Sequence, residues 1–168
     1  TKREFLNKES HWVWGKRYLL KIEEADAAPQ VRLEHSTLVL QVRPGADEEK
    51  MREVLARWYR DQVREELEQL IPKWSKKMGV DPNKAYVRRM KTKWGSCNPM
   101  SRNIRLNTDL AKKPRECLEY VLVHELAHLI ERRHNDRFIA IMNKHMPLWQ
   151  ARRDQLNQIP VAHEEWEY

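Results

Sequence analysis

The chain has 168 residues, of which 40% are apolar and 34% charged, and its formal net charge is +7. That length supports one domain with a real core, with at most a small appended lobe, and excludes two independent full-sized domains. No run reaches the roughly 20 apolar residues of a membrane helix, and Thr1-Lys2-Arg3-Glu4-Phe5 carries no signal-peptide core, so a cytoplasmic protein without a membrane partner is expected.

Three β-rich runs open the chain: Trp12-Val13-Trp14, Tyr18-Leu19-Leu20-Lys21-Ile22 and Thr37-Leu38-Val39-Leu40-Gln41-Val42, the last closed by Pro44-Gly45. They predict a small antiparallel sheet forming an N-terminal β subdomain over residues 1–45. From Asp47, an N-cap candidate, the period changes. Met51, Val54, Leu55, Trp58, Tyr59, Val63, Leu67, Leu70 and Ile71 recur at three and four, predicting one long amphipathic helix toward Met78 and Gly79 with a bend near Pro72. Two strands are expected at Ala85-Tyr86-Val87-Arg88-Arg89-Met90 and Asn103-Ile104-Arg105-Leu106-Asn107, with a tight turn around Trp94-Gly95-Ser96-Cys97-Asn98-Pro99 between them.

Pro114 suits a first helical turn, and Leu118, Val121, Leu122, Leu126 and Leu129 mark a helix through about Ile130. Asn135 or Asp136 caps a further helix through Phe138, Ile141 and Met142, and Pro147 starts a last one through Leu156. Residues 46–158 thus read as one compact unit and 159–168 as an acidic tail, making the fold class α+β. Trp12, Trp14, Trp58, Trp74 and Trp149 fall on expected core faces.

His124-Glu125-Leu126-Ala127-His128 carries the chemistry. Histidines four apart on a helix stand one turn above each other on one face, which suits a shared metal ion. Glu125 is rotated by roughly 100° from His124, so its carboxylate lies at the margin of that face, within reach of a metal-bound water. Zinc lowers the pKa of such a water toward ~7, and the carboxylate can take its proton and return it to the leaving group.

His134 is the candidate third ligand, on one condition. In an unbroken helix it would lie about 9 Å beyond His128 and turned away from it, so the helix has to end between them. Glu131 and Asp154 are the alternatives. Unpartnered histidines on a helix flanked by Val121, Leu122, Val123, Leu126 and Leu129 would be costly, which favours zinc over a merely packed surface.

Other signals are weaker. If Asn103–Asn107 is an edge strand it offers backbone groups to an extended peptide. Ser96 and Cys97 have no base at nucleophile spacing, and the two cysteines, Cys97 and Cys117, suit free thiols in a reducing compartment. His11, His35 and His163 read as surface or packing residues, and His145 as a candidate oxyanion donor or supporting group. The net charge is compatible with nucleotide or nucleic acid, but basic residues interleaved with acids, as in Lys50-Met51-Arg52-Glu53 and Arg64-Glu65-Glu66, read first as a solvated surface with local ion pairs.

Arg89-Met90-Lys91-Thr92-Lys93-Trp94-Gly95-Ser96-Cys97, Ile104-Arg105-Leu106-Asn107, Val123-His124-Glu125-Leu126-Ala127-His128 and His134-Asn135-Asp136-Arg137-Phe138 together resemble the YgjP-like metallopeptidase domain family, also described as predicted metal-dependent hydrolases. The resemblance covers most of the chain. It implies a compact zincin-like fold of the SprT-like and mini-gluzincin kind, with a short sheet packed on the motif helix, His124, His128 and His134 as zinc ligands and Glu125 as the catalytic residue. A peptide or protein substrate is the leading expectation. A nucleoside triphosphate hydrolase, or a nucleic-acid-binding module with a structural zinc, are the alternatives.

Overall fold

Alternating apolar and polar residues in the N-terminal segment fold into four strands, β1 (His11–Val13), β2 (Lys16–Glu24), β3 (Gln30–Glu34) and β4 (Thr37–Val42), in the spatial order β1-β2-β4-β3. The computed structural model describes residues 11–158, so the expected acidic tail at 159–168 and His163 lie outside the described residues. This sheet is antiparallel at both edges, as expected, but β2 and β4 run parallel, with Leu20 opposite Leu38 and Ile22 opposite Leu40. The parallel pair arises because β3, whose sequence QVRLE has too few apolar residues to stand out, forms a hairpin with β4 and leaves β4 beside β2. Leu38, Val39, Leu40 and Val42 are all fully buried, which explains why β4 reads as a continuous apolar run.

The long helix, α1 (Glu48–Met78), starts where Asp47 accepts a 2.8 Å bond from the Lys50 amide. It ends where Gly79, at φ 68°, lets its N–H reach back to the Ser75 carbonyl. Pro72 lies inside the helix without ending it.

A second sheet contains β5 (Ala85–Arg88), β6 (Gly95–Asn98) and β7 (Asn103–Asn107) in the order β5-β7-β6. One open alternative is decided here and one expectation is corrected. The 103–107 strand is central, parallel to β5 and antiparallel to β6, so its backbone is not open to a peptide. The stretch read as a tight turn contains strand β6, which is one edge of the sheet, β5 being the other. Gly, Ser and Cys have little strand propensity of their own; pairing with β7 and close seating on a helix override it.

A 3-10 turn (Thr108–Lys112) leads into α2 (Arg115–Ala127), followed by α3 (Asp136–His145) and α4 (Trp149–Asn157). α2 carries the histidine motif and is the helix most enclosed by the core. Ten of its thirteen residues, from Cys117 to Ala127, are buried, which is the mark of a helix packed on more than one side. Polar ties hold its neighbours: Trp74 Nε1 donates to Glu119 at 2.7 Å, and the buried Lys113 ammonium donates to the Leu156 carbonyl at 3.0 Å. Tyr59 on α1 donates its hydroxyl to the Trp12 carbonyl at 2.8 Å, fixing β1. Among the tryptophans, Trp74, Trp94 and Trp149 are buried, whereas Trp12, Trp14 and Trp58 are only half-buried.

Candidate metal centre

His124 and Glu125 are 4% and 2% exposed, because the last two turns of α2 are inside the core. The helix then tightens. His128, Leu129 and Ile130 donate their amides to Glu125, Leu126 and Ala127, three residues back, at 3.2, 3.0 and 3.0 Å. The regular helix therefore ends at Ala127, a few residues before the expected Ile130, and His128 is its C-cap. Asn135 caps α3 through a 3.0 Å bond from the Phe138 amide, so the chain has turned before His134 and the condition set by helix geometry is met.

The consequence is a triad of rings. His124 and His128 have centroids 4.8 Å apart, His124 and His134 5.1 Å, and His128 and His134 4.7 Å. One ligand nitrogen from each can be chosen so that all lie within 4.8 Å of one another. Glu131 and Asp154 do not join this cluster. The Glu131 carboxylate accepts from the Arg133 amide, Asn135 Nδ2 and Arg137, at 3.4, 2.9 and 3.3 Å, and Asp154 pairs with Arg153 at 3.1 Å.

Protonation fits a metal. His128 Nδ1 lies 3.0 Å from the Glu131 carbonyl, so in the neutral ring that nitrogen carries the hydrogen and Nε2 presents a lone pair. That Nε2 is 2.9 Å from His134 Nε2. Burial, and then the neighbouring His124, push His128 down from its ordinary value. Burial and the other two imidazoles push His134 down to about 4. Near neutral pH the His128 and His134 rings are uncharged and their Nε2 atoms face each other at 2.9 Å, an arrangement that a cation relieves. A tetrahedral ion with nitrogen ligands at about 2.0–2.1 Å holds them roughly 3.3 Å apart, between the 2.9 Å pair and the 4.8 Å limit of the triad.

Phe138 is the site residue that sequence reasoning missed. Its ring is stacked on His128 at 4.7 Å and 23°, and meets His124 and His134 edge-on at 5.1 and 5.0 Å. The sequence marks it as an apolar position of α3 and as the end of the 134–138 motif, with no role at the triad; its aim there depends on the turn between the helices.

Glu125 Oε2 lies 3.2 Å from His124 Nδ1, and the backbone of β6 passes directly over it. A Cβ on Gly95 would stand 2.9 Å from Val121 Cγ1, 3.0 Å from Glu125 Oε2 and 3.1 Å from the Arg105 carbonyl. Glycine is required there by close approach, not by the unusual backbone angle expected of a turn. Cys97 follows on the same strand; burial and the Glu125 charge push its thiol up to about 11, and burial pushes Cys117 up to about 12, so neither is an activated nucleophile. Both are free. His145 closes α3 at the end opposite Asn135, about 15 Å along the helix axis from that cap.

A glutamate beside two imidazoles one helical turn apart, a third imidazole supplied after the helix, and a small sheet lying over them define a metal-dependent hydrolase with a zincin-like α+β fold. The chain belongs to the YgjP-like, metallopeptidase domain family, whose family model matches residues 1–159. No functionally curated protein matches it in sequence. Among solved structures it is similar in fold to the metallopeptidase zymogen abylysin of Pyrococcus abyssi, with 22% identity and a TM-score of 0.50 over 54% of this chain and 90% of that one. The metallopeptidase zymogen jannalysin of Methanocaldococcus jannaschii matches at 17% identity and a TM-score of 0.45 over 54% of this chain and 95% of that one. No helix among the described residues is long and apolar enough to cross a membrane.

Proposed function

We propose that the protein hydrolyses peptide bonds with a zinc ion held by His124, His128 and His134 and with Glu125 as general base. The observation that carries this reading is the convergence of three imidazole nitrogens within 4.8 Å beside a carboxylate that is 2% exposed. Zinc in such a nitrogen set supplies Lewis acidity toward a carbonyl and an acidified water. Glu125 takes the water's proton and delivers it to the departing amine; burial keeps its carboxylate away from bulk solvent, and Gly95 leaves it room to do so.

β6 is the strand on which an extended substrate would dock. It is one of the two edges of its sheet, and the one whose Gly95 is seated over Glu125, so a peptide added along Gly95–Asn98 would bring a carbonyl near the base. Two free thiols accord with a cytoplasmic site of action.

The test compares zinc content and cleavage of an unstructured protein such as casein in the wild type and in Glu125→Gln. The variant is expected to retain zinc while losing about 10²–10⁴-fold in turnover. Undiminished cleavage in the variant would reject the mechanism.

A further inference from the structure

Apart from the metal centre, α1, the end of β5 and the 3-10 turn enclose a cleft of about 520 Å³ whose lining includes neither the imidazole triad nor Glu125. Six cations line it: Arg52, Arg57 and Arg60 from α1, Arg88 and Arg89 at the end of β5, and Lys112 from the 3-10 turn. Two carboxylates, Glu53 and Asp109, line it as well, so six cations less two acids leave +4 at this one place, in a chain whose total is +7. The acids are already countered. Asp109, 5% exposed, has Lys112 at 3.3 Å and Arg89 at 3.8 Å, and Glu53 has Lys50 at 4.0 Å. Arg60 Nε is buried without a hydrogen-bond partner among the described residues, an unfavourable state that an acceptor on a ligand relieves.

Local pairing of interleaved charges accounts for only part of this surface: Arg52 meets Glu48 one helical turn away at 2.9 Å, and Arg89 and Lys112 share Asp109. Cations far apart in sequence, from residue 52 to residue 112, are gathered on one concavity in excess of their counter-ions. We propose that the cleft binds a phosphate-rich ligand through its phosphate groups, as a second binding function independent of peptide hydrolysis. Five of the six cations are arginines, whose planar forks pair two-to-two with phosphate oxygens. The volume suits a nucleotide-sized segment. Leu55 and Tyr59, the large apolar residues of the lining, are 8% and 5% exposed, so the cleft offers neither an apolar pocket for peptide side chains nor an open ring for base stacking. Recognition therefore falls on phosphate and is indifferent to base sequence.

The zinc-loaded protein is titrated into fluorescein-labelled oligothymidylate at a series of salt concentrations, with inorganic tripolyphosphate and poly-L-glutamate as competitors. Binding that weakens with salt is expected. Arg57→Glu combined with Arg88→Glu should weaken it at least about tenfold and reduce the log–log salt slope by about two. Lys76→Glu combined with Lys84→Glu, which removes the same charge at exposed positions outside the cleft lining, should change it less than about threefold. Competition by tripolyphosphate at comparable phosphate concentration identifies a compact phosphate source, and its failure to compete identifies a nucleic-acid strand. The proposal is overturned if the two double variants weaken binding equally, if poly-L-glutamate competes as well as the phosphates, or if the protein binds neither phosphate probe at physiological salt.

Discussion

The two halves of the metal centre are built by different forces. His124 and Glu125 stand on α2 among Val121, Leu122, Val123 and Leu126, each 0% exposed, so the same burial that makes the core aims these side chains. His134 is exposed and belongs to a turn held by three bonds to the Glu131 carboxylate, by the Asn135 cap and by the Phe138 ring. Each such polar bond is worth only about 1 kcal/mol net. On the proposed reading the helix half is formed before a metal arrives, and the turn half is the part whose order would depend most on the metal.

The largest effects come from deleting a ligand from each half. His124→Ala and His134→Ala should both weaken zinc binding by at least about a hundredfold, roughly 3 kcal/mol as one ligand's share of a typical site. They should differ in the metal-free protein. Truncating the buried His124 leaves a cavity and lowers Tm, whereas His134→Ala leaves the metal-free Tm close to wild type. Equal losses of metal-free Tm would abolish the distinction between the halves.

Gly95→Ala probes the helix half from the strand above it. The added methyl has to displace Val121 or the Glu125 carboxylate, and overpacking of this kind costs ~1–3 kcal/mol. Turnover should fall about tenfold to a hundredfold while zinc affinity stays within about threefold, because the carboxylate is not a ligand. Equal loss of zinc would show that the strand supports the imidazoles as well. Glu131→Gln probes the turn half: it keeps the shape but removes the charge facing Arg137 and the Arg133 amide, and zinc affinity measured by chelator competition should drop about tenfold. No change would assign the turn's order to Phe138 and the Asn135 cap instead.

The same division decides what the sequence disclosed. His124, Glu125 and His128 are fixed by helical period and by the apolar residues around them, so spacing alone places the two imidazoles on one face and the carboxylate at its margin. His134 was legible as a conditional statement, because Asn135 signals a new helix and hence a turn before it. The earlier end of α2 was not, since the 3-10 tightening at 128–130 leaves no residue signature. β6 has no sequence signature because Gly95, Ser96 and Cys97 are paired by tertiary contact rather than by propensity, and without it the sequence leaves open whether Asn103–Asn107 is an edge; its alternating Ile104 and Leu106 reflect the burial of a central strand. The basic cleft was invisible for a similar reason: Arg57 and Arg88 become neighbours only in the fold.

Acid and alkali should attack the two halves separately, with the smallest effects of the series. His134 has an ordinary value of 6.5 and is pushed down to about 4, so between those pH values the unfolded chain takes up a proton that the folded chain refuses. His128 is shifted in the same direction. Stability of the metal-free protein should therefore fall as pH is lowered from 6.5 toward 4. Cys117, on the buried face of α2, is pushed up from 9.0 to about 12, so above pH 9 the unfolded chain loses a proton that the folded chain keeps, and stability falls as pH rises through that window. Cys97, Tyr59 and Tyr120 are shifted in the same direction and steepen the alkaline limb. Measured as Tm against pH, His134→Gln should flatten the acid limb and leave the alkaline limb in place, and Cys117→Ala should do the reverse. If His134→Gln leaves the acid limb as steep as in the wild type, the turn does not hold that imidazole neutral.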